Sequence, residues 1–227
     1  MPSPFDHLPS ELLSYIFITL NKDSLFARSI ADDSYGRIHY PLLLSSICIC
    51  WRQVAVATPS LWSYLDLSIT DPPLRNTLYL NLCYERSANT PLTVRIGSYI
   101  HMCTLQTVDK QLDYLLRSCA TRVGSFTISY IYTSLRKEIL ATIAQGAAGR
   151  VRKLALHAVY EQEDERIVAD ASIPQEVLEG LLKPLHTLCL VNVSLDWNLA
   201  SCINLVDLQL MYLSPDCLLY TSPSPRD

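Results

Sequence analysis

A chain of 227 residues, 49% hydrophobic and 18% charged, has the apolar content for one or two packed domains and does not read as a disordered tail. Its net charge of −4 supplies no broad basic surface for a phosphate backbone, so nucleic acid is not an expected partner. No apolar run reaches the ~18–20 residues of a membrane span, and the start, MPSPFDHLPSELL, has no basic region before its apolar run, so neither a membrane helix nor a secretory signal is expected.

The eight cysteines, Cys48, Cys50, Cys83, Cys103, Cys119, Cys189, Cys202 and Cys217, lie among apolar residues. No pair has the two-residue spacing of a zinc hairpin. They read as small buried hydrophobes in a reducing compartment, which places the protein inside the cell, in cytoplasm and/or nucleus. No metal site and no cofactor is expected.

In chain order, Pro9 and Ser10 suit the start of a helix from Glu11. Leu12, Leu13, Ile16, Phe17 and Leu20 follow at helical spacing, and Asn21-Lys22-Asp23 is expected to end the run. Residues 25–40 read as a loop, with Asp32, Asp33 and Gly36. Pro41 starts a second helix on which Leu44, Ile47, Cys48, Trp51 and Ala55 share a face, with Arg52 and Gln53 outward. Thr58-Pro59 stops it, and a short alternating run over 64–69 follows Trp62. One reading is a helical hairpin whose Trp51 and Trp62 fill its core. The other starts from an apolar surplus: Leu12, Leu13, Leu42, Leu43 and Leu44 occupy more faces than a hairpin covers. Surplus of that kind meets another protein.

Residues 70–88 return to helix behind Pro72-Pro73, and Asn89-Thr90-Pro91 makes a turn. Leu92, Val94 and Ile96 alternate as a strand; 105–120 has helical spacing; 122–131 alternates again. A pattern then recurs: Val123, Phe126, Ile128; Val151, Leu154, Leu156; Leu185, Leu188, Leu190; Leu205, Leu208, Leu210. Its start advances by 28, 34 and 20 residues, with helical segments at 135–143 and 175–182 between. Strand and helix repeated at this period predict a stacked solenoid; an ordinary α/β layer with irregular crossovers is the alternative. The acidic run Glu161, Glu163, Asp164, Glu165 reads as a solvated loop or as a recogniser of basic substrate. His157 is placed to pair with it, and His186 to face solvent or a neighbouring turn.

Leu8-Pro9, Glu11-Leu12-Leu13, Ile16-Phe17, Leu43, Ser45, Cys48, Trp51-Arg52, Ala55, Pro59 and Leu61-Trp62 together resemble an F-box, of the type abundant in mushroom-forming fungi. The resemblance covers about a quarter of the chain, and the 22–40 segment is longer than the usual link between the first two helices. It implies a small helical module that binds the Skp-family adaptor of a cullin-RING ubiquitin ligase. By position, Leu8, Pro9, Leu12, Leu13, Ile16, Leu43 and Cys48 would contact the adaptor. Phe17, Ile47, Trp51 and Trp62 would form the module's core. The repeats resemble the divergent leucine-rich region that often follows an F-box, with Asn192 loosely in the place of the repeat asparagine.

The expected fold is therefore α+β: a small all-helical F-box module at 5–65, a linker region and first repeat-like unit at 70–120, and a degenerate leucine-rich-repeat-like α/β solenoid at 121–216. Residues 217–227, CLLYTSPSPRD, look like translated sequencing-adapter sequence, so the solenoid is expected to be a truncated fragment whose natural chain continues past Asp216. His7, His39, His101, His157 and His186 are widely spaced, with no HExxH, no glycine-rich phosphate loop and no GxSxG elbow, so no catalytic residues are expected. The expected function is a substrate-recruiting adaptor subunit of an SCF-type ubiquitin ligase. Its partners would be the Skp-family adaptor, cullin through it, and a protein substrate held by the repeats. The alternative is a non-catalytic protein-binding solenoid acting outside ubiquitin ligases.

Overall fold

Pro9 lacks an amide proton but keeps its carbonyl, which accepts from the amides of Leu12 and Leu13 and so opens the first helix, α1 (Ser10–Ala27). The computed structural model describes residues 8–27, 39–68, 73–97, 110–129, 133–147, 150–158, 175–193 and 203–212. These carry mixed helix and strand, with a parallel sheet. The chain divides into two compact units: Met1–Leu65 with Tyr79–Thr90, and Asp66–Leu78 with Pro91–Asp227. Residues 70–120 are thus shared between the two units. Residues 217–227 and the acidic run at 161–165 lie outside the described residues.

In the first unit α1 runs on through Asn21-Lys22-Asp23 instead of ending there. The reason is local: Asn21 is buried, and its side-chain amide donates to the Leu61 carbonyl (3.3 Å) rather than capping its own helix. The expected single helix behind Pro41 is two helices, α2 (Tyr40–Ile47) and α3 (Ile49–Val56). Cys48 between them is extended (φ −154°, ψ 172°), and its Sγ accepts from the Trp51 amide, capping α3. That break turns Ile47 out of the core: it is 54% exposed. A 3₁₀ turn, Pro59–Trp62, then buries Leu61 and Trp62. The core is Leu13, Phe17, Leu44, Val54, Ala55, Leu61 and Trp62. Trp62 Nε1 donates to the Ala55 carbonyl (2.7 Å), and the half-buried Trp51 ring tilts against Phe17 at 4.9 Å. The C-terminal part of helix α4 (Pro73–Arg86) joins this core. Tyr79 stacks on His39, Cys83 is buried, and Arg86 sits 4.3 Å over the Trp62 ring.

The sheet has strands in chain order: β1 (Tyr64–Ser68), β2 (Leu92–Gly97), β3 (Val123–Ser129), β4 (Lys153–His157), β5 (Thr187–Val191) and β6 (Asp207–Met211). From β2 to β6 neighbours pair in parallel. Each crossover between β2 and β5 carries a helix: α5 (Lys110–Ala120), α6 (Thr133–Ala147) and α7 (Gln175–Leu182). α5 neighbours α6, and α6 neighbours α7. Parallel strands need such crossovers, and the helices supply Leu116, Ile139, Leu140, Ile143 and Leu181 to the buried set. Two rows run across the sheet, Val94–Phe126–Leu154–Leu188 and Ile96–Ile128–Leu156–Leu190, all at 0–1% exposure. Leu208 and Leu210 extend both rows onto β6, where they are 45% and 39% exposed.

Successive strands are also tied by polar bonds. Arg150 donates to the Thr121 carbonyl (2.6 Å), Arg152 to the Pro184 carbonyl (2.9 Å), and Asn204 to the Lys183 carbonyl (2.7 Å). Asn192 and Tyr212, each just past its strand, share a left-handed backbone with φ 55°.

Gly146 marks where α6 approaches the end of α5: a Cβ there would collide with the Ala120 methyl. Alanine gains about 1 kcal/mol over glycine in an open helix, but overpacking costs about 1–3 kcal/mol. Gly146→Ala should therefore lower stability. Gly180→Ala on α7, where nothing lies within 4 Å, should raise it by up to about 1 kcal/mol. Urea melts of the two variants check the opposite signs.

Candidate functional site

Each unit carries one surface suited to a partner. On α1 two neighbouring stripes differ by one position. Leu13, Phe17 and Asn21 are buried at 1%, 0% and 5% exposure. Leu12, Ile16 and Leu20, at i, i+4 and i+8, are 51%, 40% and 43% exposed. Tyr15 stands beside them at 70%. On α2, Pro41 and Leu44 are buried, while Leu42, Leu43 and Ile47 are exposed; Ile49 and Val56 on α3 are exposed as well. This is far more apolar side chain than a small helical unit ordinarily leaves in water.

Of the residues expected at an adaptor contact, Leu12, Ile16, Leu43 and Pro9 are exposed, and Leu8 and Cys48 half-buried. Leu13 is a correction: it points into the core, because the i+4 step to Phe17 puts both on the buried stripe. Of the expected core residues, Phe17 and Trp62 are fully buried, Trp51 is half-buried, and Ile47 is outside the core. Tyr15, Ile49 and Val56 were not singled out from the sequence, and Leu20 was read as part of the apolar stripe but not as a contact. Tyr15 was open to detection, since it continues the Leu12–Ile16 spacing.

In the second unit the residues that alternate with the buried rows form the other side of the sheet. Arg95 and Thr93 lie on β2, Ser125, Thr127 and Ser129 on β3, and Lys153, Ala155 and His157 on β4. Thr187 and Cys189 follow on β5, and Asp207 and Gln209 on β6. Apart from the buried Ser129, these side chains are half-exposed or exposed. Ser129 Oγ lies 3.5 Å from His157 Nδ1. His186 is exposed beside the Pro184 carbonyl, Nδ1 at 3.0 Å. The pairing expected between His157 and the 161–165 run falls outside the described residues.

Cys48, Cys50, Cys83, Cys119 and Cys189 are free thiols. Burial pushes Cys83 up to about 12 and Cys119 up to about 11, against weaker opposing effects of hydrogen bonds and nearby arginines, so both stay neutral small hydrophobes. Burial raises Cys189 too, helped by the charge of Asp207. Among the described residues no three His, Cys, Asp or Glu side chains gather to hold a metal ion, and no helix is long and apolar enough to cross a membrane. Set against known protein families, characterised proteins and solved structures, the chain matches none of them.

Proposed function

We propose that this protein is the substrate-recruiting subunit of a cullin-RING, SCF-type ubiquitin ligase. The first unit acts as an F-box that binds a Skp-family adaptor, and the second acts as a leucine-rich-repeat-like solenoid that holds a protein substrate. The observation that carries the reading is the exposed apolar stripe Leu12, Ile16 and Leu20 on α1, with Leu43 and Ile47 on α2, beside a core already filled by Phe17 and Trp62. A helical unit that has satisfied its own core and still exposes leucines in register is built to dock. The solenoid reading is supported by parallel strands in chain order, whose partners lie 20 to 34 residues apart from β3 onward, with helices between β3 and β5. No chemistry is asked of the chain. It raises the local concentration of substrate at the ubiquitin-transfer machinery.

Co-expression of the full chain with a fungal Skp-family adaptor and cullin tests this. A stable three-protein complex on gel filtration is the expected result. A folded chain that binds no adaptor would refute it. A complex with adaptor but without cullin would favour the second reading, a protein-binding solenoid outside ubiquitin ligases, to which the long 22–40 segment also points.

A further inference from the structure

The two ends of the sheet differ. On β1, Leu65 and Leu67 are 1% exposed and Asp66 5%. On β6, Leu208 and Leu210 continue the two buried rows yet stand open, with Val206, Met211 and Tyr212 exposed beside them. The backbone of this edge is open as well. The Asp207 amide donates to the His186 carbonyl, and the Met211 carbonyl accepts from the Asn192 amide (2.9 Å each). In a parallel ladder that phase turns Asp207, Gln209 and Met211 toward β5, and the amides and carbonyls of Leu208 and Leu210 outward. Among the described residues no further strand pairs with them. β6, DLQLM, has none of the devices that blunt an edge: no proline, no lysine and no register shift against β5, and its one charge is Asp207.

The ends of the strand limit how another strand can be added. The Val206 amide already donates to the His186 carbonyl, and Tyr212 has a left-handed backbone (φ 55°), so neither extends the pairing edge. The window is 207–211, centred on Gln209. An antiparallel copy of the same strand, related by a two-fold axis at Gln209, sets Leu208 of each copy opposite Leu210 of the other. Both residues face outward, so each pair exchanges both of its N–H···O bonds. Opposed residues share a face, so leucine meets leucine on the helix side. On the open side Gln209 meets Gln209 and Asp207 meets Met211, and no carboxylate faces a carboxylate. Registers two residues away keep only one such leucine position in the window, because Val206 and Tyr212 cannot take part. β6 is therefore complementary to itself in hydrogen bonding, apolar pairing and charge.

We propose that two copies of this chain associate through antiparallel pairing of their β6 strands, joining their sheets into one. This goes beyond the adaptor reading and uses a surface on the other unit. The strand edge is narrow against the ~800 Å² per partner of a standard interface, so the dimer forms reversibly with concentration. Sedimentation of the full chain at rising concentration should move from 25.6 kDa to twice that mass. Leu208→Lys puts a charge on the edge, and Leu210→Pro removes an outward amide that β5 does not use. Each change enters the interface twice and should weaken dimerisation about tenfold or more. Gln209→Cys gives a readout that does not depend on those variants folding. Directly opposed, non-hydrogen-bonded residues have Cα atoms ~4.5 Å apart, within disulfide reach. Mild oxidation should therefore yield a covalent dimer well above the wild-type background from exposed Cys50. Asp207→Cys, set opposite Met211, should not. Leu12→Asp with Ile16→Asp should dimerise as wild type does. A chain that stays monomeric at every concentration overturns the proposal, and so does undiminished dimerisation of folded Leu208→Lys and Leu210→Pro. Dimerisation lost only in the α1 double variant does the same, as does Gln209→Cys cross-linking no better than Asp207→Cys. A monomer that instead binds a labelled alternating Val-Thr peptide, with binding lost in Leu208→Lys, gives the edge to a foreign strand and also overturns it. Adaptor binding is measured separately, and its failure would sink the adaptor reading alone.

Discussion

Trp62→Ala is expected to unfold the first unit. Trp62 is fully buried, its Nε1 donates to Ala55 across the end of α3, and its ring carries Arg86. Removing a buried aromatic costs about 3–5 kcal/mol through lost burial and a cavity that surrounding residues only partly close. The Ala55 carbonyl also loses its shorter bond and keeps the one from the Thr58 amide (3.3 Å), which adds to the cost. Against a typical domain stability of about 5–15 kcal/mol, that loss leaves a small unit little or nothing. Trp51→Ala should cost clearly less, since Trp51 is half-buried, its ring tilted against Phe17. Urea melts of the two variants followed by circular dichroism give the ranking. A Trp51 loss equal to or larger than the Trp62 loss would mean the core is misassigned.

The second large effect is expected at Phe126. It sits at 0% exposure in the middle of the row from Val94 to Leu188 and is the largest buried side chain of the sheet. Phe126→Ala should cost about 3–5 kcal/mol and loosen β2, β3 and β4 together, because each strand buries its inner face only beside its neighbours. Amide exchange should show lost protection in all three strands. Loss confined to β3 would contradict this coupling.

The register of the sheet was legible in the sequence. Starts at Val123, Val151, Leu185 and Leu205 advance by 28, 34 and 20 residues, and the same offsets separate Ser125 from Lys153, Lys153 from Thr187, and Thr187 from Asp207 across the ladders. Period-two alternation suffices when one face is buried, because a one-residue slip would expose the whole row. β2 belongs to the same set but escaped the pattern, since a register shift at Leu92/Thr93 moves its first apolar residue one place, opposite Val123. The break between α2 and α3 was illegible: no glycine or proline marks it, only an extended cysteine that caps the next helix with its sulfur. On α1, Leu12 and Leu13 are equivalent by composition. Only packing distinguishes them, by turning the Leu13–Phe17 stripe inward.

That distinction gives the most direct measurement of the central claim. Leu12→Asp with Ile16→Asp places two carboxylates on the exposed stripe, where water solvates them in the free protein, so the melting curve should stay close to wild type. At a docked apolar interface each would be desolvated, and loss of even one large anchor costs about 2 kcal/mol or more. Titration of the purified adaptor into wild-type and double-variant protein should show binding to the first and at least a thousandfold weaker binding to the second, ~4 kcal/mol. A folded double variant that binds the adaptor as tightly as wild type would contradict the account.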